Sequence, residues 1–259
     1  MEKFGKYGKE PYNVAVIHGG PGAPGDVAQL ASELSECHGV LEPLLSSESI
    51  RSQIEELISI FKKNGDQPLY LIGHSYGAWL SIIFTAHHPE YVKKLILVSS
   101  GPFEKKYRSS VLKTRSDRLE DAEKKNLFKI FEELSEASKE NDENLLDKMD
   151  QVMSKTDFYE EIDHENEVID FQSRLHQKVW DEAKKLREEG KLLEYADKID
   201  CSVTAIHGDY DPHPWEGVKK PLSKVLDDFK FFLIEKCGHY PWYEIYAKNE
   251  FFKILEDEL

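Results

Sequence analysis

The sequence predicts an α/β fold, with a mainly parallel sheet flanked by helices and an all-helical segment inserted into it. Three observations predict it. Five short apolar runs recur at long intervals: Val14–Ile17, Leu69–Ile72, Leu95–Val98, Val203–Ile206 and Phe231–Ile234. Runs that are apolar at consecutive positions suit strands buried on both faces, as in a parallel sheet covered by helices. Helical patterns fall between the runs, and alternating strands and helices imply a parallel sheet. Finally, the stretch from Gly101 to Asp200 has no convincing strand, and 46 of its 100 residues are charged.

Taken in order, Val14–Ile17 is the first strand. Asp26 to Ser35 forms a short helix with Val27, Leu30, Ala31 and Leu34 on one face. Cys37 to Leu41 is at best a weak strand. Ser49 to Lys63 is a clear helix, because Ile50, Ile54, Leu57, Ile58 and Phe61 follow helical spacing. Ser49 is placed to cap it and Asn64-Gly65 to stop it. Leu69–Ile72 is the second strong strand, and the helix Ala78 to His87 follows it, ended by Pro89. After Leu95–Val98 the charged middle begins. Its apolar residues recur at helical spacing: Leu127, Ile130, Phe131 and Leu134, then Leu145, Met149 and Val152, then Leu175, Val179, Ala183 and Leu186. This predicts several amphipathic helices with solvated outer faces. Residues 1–101 and 199–259 then make the sheet domain, and 102–198 the insertion. Lys248 to Glu258 is the last helix.

Composition excludes several classes of function. At 259 residues the chain is long enough to bury about three quarters of its unfolded surface without a staple. Its 49 acidic against 34 basic residues leave a net charge of −15. That field repels phosphate backbones and anionic lipid, so neither nucleic acid nor a membrane surface is an expected partner. Cys37, Cys201 and Cys237 form no CxxC pair and no metal spacing, which fits a reducing cytosol. No signal-peptide core and no span of roughly 20 apolar residues is readable. The expectation is a cytoplasmic protein acting on a small molecule.

Four loops carry the chemistry, each directly after a strand. Gly73-His74-Ser75-Tyr76-Gly77 is a G-x-S-x-G turn between strand and helix. A side chain at Gly73 or Gly77 would collide with the neighbouring helix and strand, while the Ser75 hydroxyl projects over the positive end of the following helix. His18-Gly19-Gly20-Pro21-Gly22 can lend a backbone N–H to a developing oxyanion, with the N–H of Tyr76 as the second donor. One such donor is worth roughly 2.7–4 kcal/mol of transition-state stabilisation. The glycine loop lacks the spacing of either phosphate-binding motif, so the other reading is a simple turn. His207-Gly208-Asp209-Tyr210-Asp211-Pro212 and Cys237-Gly238-His239-Tyr240-Pro241 supply an acid and a base, with Asp209 and Asp211 both candidates. Strand C-terminal ends are where α/β sheets place their sites.

HGGPG, GHSYG, HGDYD and CGHYP, in this order, resemble the α/β-hydrolase superfamily over essentially the whole chain. HGGPG is similar to the branch of proline iminopeptidases and small-molecule esterases. The resemblance implies Ser75 as nucleophile, His239 as base and Asp211, by its spacing from the glycine, as the acid. It implies Gly20 and Tyr76 amides as the oxyanion hole, with His18, Gly73 and Gly77 in support, and no cofactor. It also implies that 102–198 is a helical cap over the active site. The aspartate-arginine-glycine loop of the iminopeptidases is absent between Glu36 and Glu48. The leading antiparallel strands of the fold are expected to be shortened or missing, because the chain starts about a dozen residues before its first strong strand.

The expected activity is hydrolysis of a small ester or amide through an acyl-enzyme. The alternatives are an aminopeptidase, whose substrate amine would need carboxylates such as Glu160, Glu161, Glu165 and Glu167; a C–C hydrolase or lyase; and a non-catalytic receptor. His207, Asp209, Asp211 and His213 have the look of a metal cluster, but an acid loop with a histidine nearby explains them, and no metal is expected. His74 is expected to pack into the fold, and Cys237 to be a buried small residue. Phe158, Tyr159, Phe171 and Trp180 are expected either to line a substrate pocket or to form core between cap and sheet.

Overall fold

A computed structural model describes residues 4–134, 144–145, 148, 151–152, 155–164 and 173–259. In chain order its main elements are β1 (Phe4–Tyr7), β2 (Tyr12–Ile17), α1 (Ala28–Leu34), β3 (Gly39–Pro43), α2 (Ile50–Asn64), β4 (Leu69–His74), α3 (Tyr76–His87), β5 (Val92–Val98), α4 (Arg108–Arg118), α5 (Asp121–Leu134), α6 (Ser173–Glu188), α7 (Lys191–Ala196), β6 (Ser202–Gly208), α8 (Glu216–Leu222), β7 (Phe229–Ile234) and α9 (Lys248–Glu258).

The strands form one seven-stranded sheet in the order β1-β3-β2-β4-β5-β6-β7. All neighbours are parallel except β1 and β3. The pleat divides each apolar run between two cores. Ala15, Ile17, Leu71, Leu95, Leu97, Val203 and Ala205 face α2 and α3. Val14, Val16, Ile72, Ile96, Val98 and Ile206 face α1 and α9. Both faces of the central strands are therefore covered, which is why their runs are apolar without alternation.

The leading antiparallel part of the sheet is short, as expected: the four-residue β1 pairs with β3 from Phe4↔Pro43 to Tyr7↔Val40. The weak strand at Cys37–Leu41 is β3, shifted to Gly39–Pro43 and buried at every position. One expectation needs correction: Phe231–Ile234 lies in the edge strand β7, and Leu233 is 40% exposed. Its apolar run marks a strand, but not one buried on both faces.

Ser49 caps α2, its side chain accepting from the Ser52 N–H. Gly65 ends α2 in an extended conformation, φ −98°, rather than the left-handed one. Between β5 and β6 no described residue joins the sheet, and the chain there runs through α4 to α7. Ile130, Leu145, Val152, Leu175, Val179 and Ala183 are buried there, while Leu127 and Leu186 are half-buried. Met149 lies outside the described residues, as do the side chains of Phe131 and Leu134. No helix among the described residues is long and apolar enough to cross a membrane. All three cysteines are free thiols.

Candidate active site

Ser75 sits between β4 and α3 with φ 52° and ψ −114°, a left-handed conformation at a non-glycine residue. Such strain costs about 1–3 kcal/mol and is held by its surroundings. Here the Ser75 N–H donates to the Val98 carbonyl at 3.0 Å, which ties the turn to β5. The flanking glycines are required by close approach. A Cβ on Gly73 would lie 2.5 Å from the Gly77 carbonyl oxygen, and a Cβ on Gly77 would lie 2.5 Å from the carbonyl oxygens of Ile17 and His18. The turn thus presses against both its own helix and β2.

The loop after β7 brings His239 to Ser75, with His239 Nε2 3.0 Å from Ser75 Oγ. His239 Nδ1 is 2.8 Å from Asp211 Oδ2. Asp209 is exposed and 3.4 Å from the Cys237 N–H, which it accepts, so Asp211 is the carboxylate that meets the imidazole. Asp211 Oδ1 accepts from the His213 N–H at 2.8 Å and lies 2.9 Å from His213 Nδ1. Burial pushes the Asp211 carboxyl up, but His239, His207 and His213 around it outweigh that and hold it well below the usual range. Burial pushes His239 down to about 4 against the pull of Asp211. At neutral pH the arrangement is an ionised carboxylate, a neutral imidazole and a hydroxyl in series. That is the protonation state in which a serine can be activated.

The glycine loop follows β2. His18 is buried, and its Nδ1 donates to the Gly19 carbonyl at 3.0 Å, while the Gly19 N–H donates to Asp26 at 3.1 Å. Gly20 is half-buried at the turn. The Tyr76 N–H opens α3, where helix geometry leaves it without an intrahelical acceptor. His74 is 1% exposed, with Nε2 3.0 Å from the His239 carbonyl and Nδ1 3.3 Å from Asp26. It packs in the fold and braces the His239 loop. Cys237 is fully buried, and burial pushes its thiol up.

Residues 46–244 match the model of the alpha/beta hydrolase fold family. The chain belongs to the α/β-hydrolase family. No curated protein matches it significantly. Similar solved structures include a putative lipase from Acinetobacter baumannii AYE, 17% identical, TM-score 0.69, the match covering 98% of this chain and 87% of the lipase. A monoacylglycerol lipase from Paleococcus ferrophilus is 16% identical, TM-score 0.62, over 99% of this chain and 98% of that one. A meta-cleavage product hydrolase from Pseudomonas fluorescens IP01 is 18% identical, TM-score 0.62, over 98% and 92%. At these identities the likeness is one of fold.

In this α/β-hydrolase a cavity of about 250 Å³ opens at Ser75. Its walls come from α3, α4 and α6, and include Trp79, Trp180 and His213. Trp79 and Trp180 stack with centroids 5.7 Å apart and planes 5° from parallel. Of the four insertion aromatics singled out above, Trp180 lines the cavity. Phe158 stacks on Tyr240, and Tyr159 meets Tyr210 and Tyr246 edge-on. Phe171 lies outside the described residues, as do Glu165 and Glu167. Glu160 and Glu161 do not line the cavity.

Sequence reasoning missed three contributors. Glu244 is fully buried and accepts N–H bonds from Gly238 at 2.7 Å, Tyr159 at 2.8 Å and Glu160 at 2.9 Å. Asp157 accepts the His239 N–H on its carbonyl at 2.6 Å, while Arg115 grips its carboxylate with two bonds, at 3.0 and 2.8 Å. The third is Arg187, buried in the cavity wall. None lies in a motif, so no local signal marks them. Among the described residues, Asp211, His213 and His239 bring ligand-type atoms within 4.8 Å of one another and could hold a cation. Both Asp211 oxygens already lie within hydrogen-bond distance of imidazole nitrogens, so hydrogen bonding accounts for the cluster.

Proposed function

We propose that this chain is a serine hydrolase cleaving a small carboxylic ester through an acyl-enzyme. The observation that carries the reading is the series Ser75, His239, Asp211, with Ser75 on the wall of a cavity. His239 takes the Ser75 proton through Nε2 as the hydroxyl attacks the ester carbonyl. Asp211 holds the Nδ1–H tautomer and stabilises the imidazolium. The amides of Gly20 and Tyr76 receive the oxyanion. His239 then protonates the leaving alcohol, and a water it deprotonates releases the acid. Residues 1–101 and 199–259 are the catalytic core, and 102–198 act as a helical cap that limits the substrate to something small.

Among the described residues the cavity wall carries four cationic side chains, Arg108, Arg115, Lys184 and Arg187, and no carboxylate. It offers no carboxylate to receive the ammonium of a peptide amino terminus, which weighs against an aminopeptidase. The test is a fluorophosphonate probe on the protein and its Ser75→Ala variant, read by intact mass. One adduct on the parent and none on the variant, with ester turnover, is expected. No adduct on folded parent would sink the reading. Turnover of a diketone without any ester would move it to C–C hydrolysis.

A further inference from the structure

Arg187 is only 6% exposed, yet its Nε has no hydrogen-bond partner. No carboxylate pairs with it among the described residues. Its guanidinium lies 5.4 Å over the Trp79 ring and lines the same cavity as Ser75. The neighbouring Glu188 acts on it only through space, without a hydrogen bond, and a buried cation with no hydrogen-bonded counter-charge is unfavourable unless something pairs with it. The other three cations of the wall are already answered. Arg115 binds Asp157, Lys184 lies 2.9 Å from Asp181, and Arg108 lies 3.6 Å from Glu188, the acid next to Arg187 in sequence. Trp180, Lys184 and Arg187 are spaced four and three residues apart, so they share the cavity face of α6. A cation-walled cavity in a chain of net charge −15 does not follow from composition.

We propose that Arg187 receives a carboxylate carried by the substrate, which makes the substrate a monoester of a small dicarboxylic acid. This rests on Ser75 being the nucleophile. The guanidinium fork matches a carboxylate bidentately and stays charged at any working pH. The stacked Trp79 and Trp180 offer an apolar wall for a short methylene chain between the two carboxyl groups. In the reaction the Ser75 Oγ–carbonyl bond forms and the ester C–O bond breaks, with the alcohol leaving protonated by His239. Water then cleaves the acyl-enzyme, and monoester plus water gives dicarboxylate, alcohol and one proton.

The test compares monomethyl with dimethyl esters of the unbranched dicarboxylic acids from succinate to suberate. At one chain length or more, kcat/KM for the monomethyl ester should exceed that for the dimethyl ester by about tenfold or more, the size expected when a charged hydrogen-bonding site is filled. Arg187→Met should lower kcat/KM for the monomethyl ester by about tenfold more than for the dimethyl ester, and Arg187→Lys should restore part of the preference. A readout on the parent alone avoids any folding defect in the variants: the free dicarboxylate of the preferred length should protect Ser75 from the fluorophosphonate, whereas the neutral diamide of the same length should not. Preference for dimethyl esters at every length, in protein whose Ser75 labels, would overturn the proposal and leave the hydrolase reading standing. So would an Arg187→Met variant that slows both esters equally. Unlabelled Ser75 with no ester turnover would sink the hydrolase reading instead. Titration of Ser75→Ala protein with the same dicarboxylates, with and without Arg187→Met, then judges the anion site by itself.

Discussion

At the residue scale, the proposed base His239 would set the working pH. Burial lowers it from 6.5 to about 4, so its neutral, proton-accepting form persists as the solution is acidified. An unperturbed imidazole would be about 97% protonated at pH 5. We expect kcat/KM for a neutral ester to stay level from pH 7.5 to 5, and a limb centred near pH 6.5 would contradict the assignment. Asp211→Asn should lower kcat by about 10³–10⁴-fold through loss of the correct tautomer, while Asp209→Asn, at an exposed carboxylate, should leave it within about twofold. Gly77→Ala would push a methyl against the carbonyls of Ile17 and His18, so it should fold poorly or lose Ser75 labelling. A soluble, fully labelled Gly77→Ala protein would show that the turn is looser than the geometry requires.

Glu244 joins two elements that are far apart in sequence. Its carboxylate holds the loop after β7 to the segment at 159–160. The Ile245 N–H donating to Glu160 and the Ile162 N–H donating to Tyr243 close the same junction. Glu244→Ala leaves three N–H donors without acceptors, each worth about 1–3 kcal/mol when buried. The expected result is a fall of several degrees or more in Tm and slower Ser75 labelling. An unchanged Tm would mean that water replaces the carboxylate. Elements of this kind have no periodicity to betray them. β1 was missed for a related reason: Phe4-Gly5-Lys6-Tyr7 has no apolar run, and its strand conformation comes from pairing with β3.

Across the whole molecule, burial holds His18, His176, His213 and His239 below their ordinary value of 6.5. The unfolded chain therefore binds more protons than the folded one below about pH 6.5, and stability falls as pH falls. The loss should begin near pH 6.5, before the carboxylates titrate. Thermal unfolding at pH 7.5, 6.5 and 5.5 checks this, with Tm expected to drop most between 6.5 and 5.5. A Tm that rises over that interval would contradict it.

Most of the sheet was legible because its cause is local. A strand covered on both faces must be apolar at every position, and α2 must carry its stripe at helical spacing. The strained turn at Ser75 requires small neighbours at fixed offsets, so Ser75, His239 and the two competing aspartates could be read from short motifs. What the sequence could not contain is proximity between distant residues. Which aspartate meets His239, the edge position of β7, the brace at Glu244 and the placing of Arg187 and Ser75 on one cavity all depend on which chain segments are brought together. Those are settled by tertiary packing, where burial and charge are properties of the neighbours a residue acquires rather than of the residues beside it in the chain.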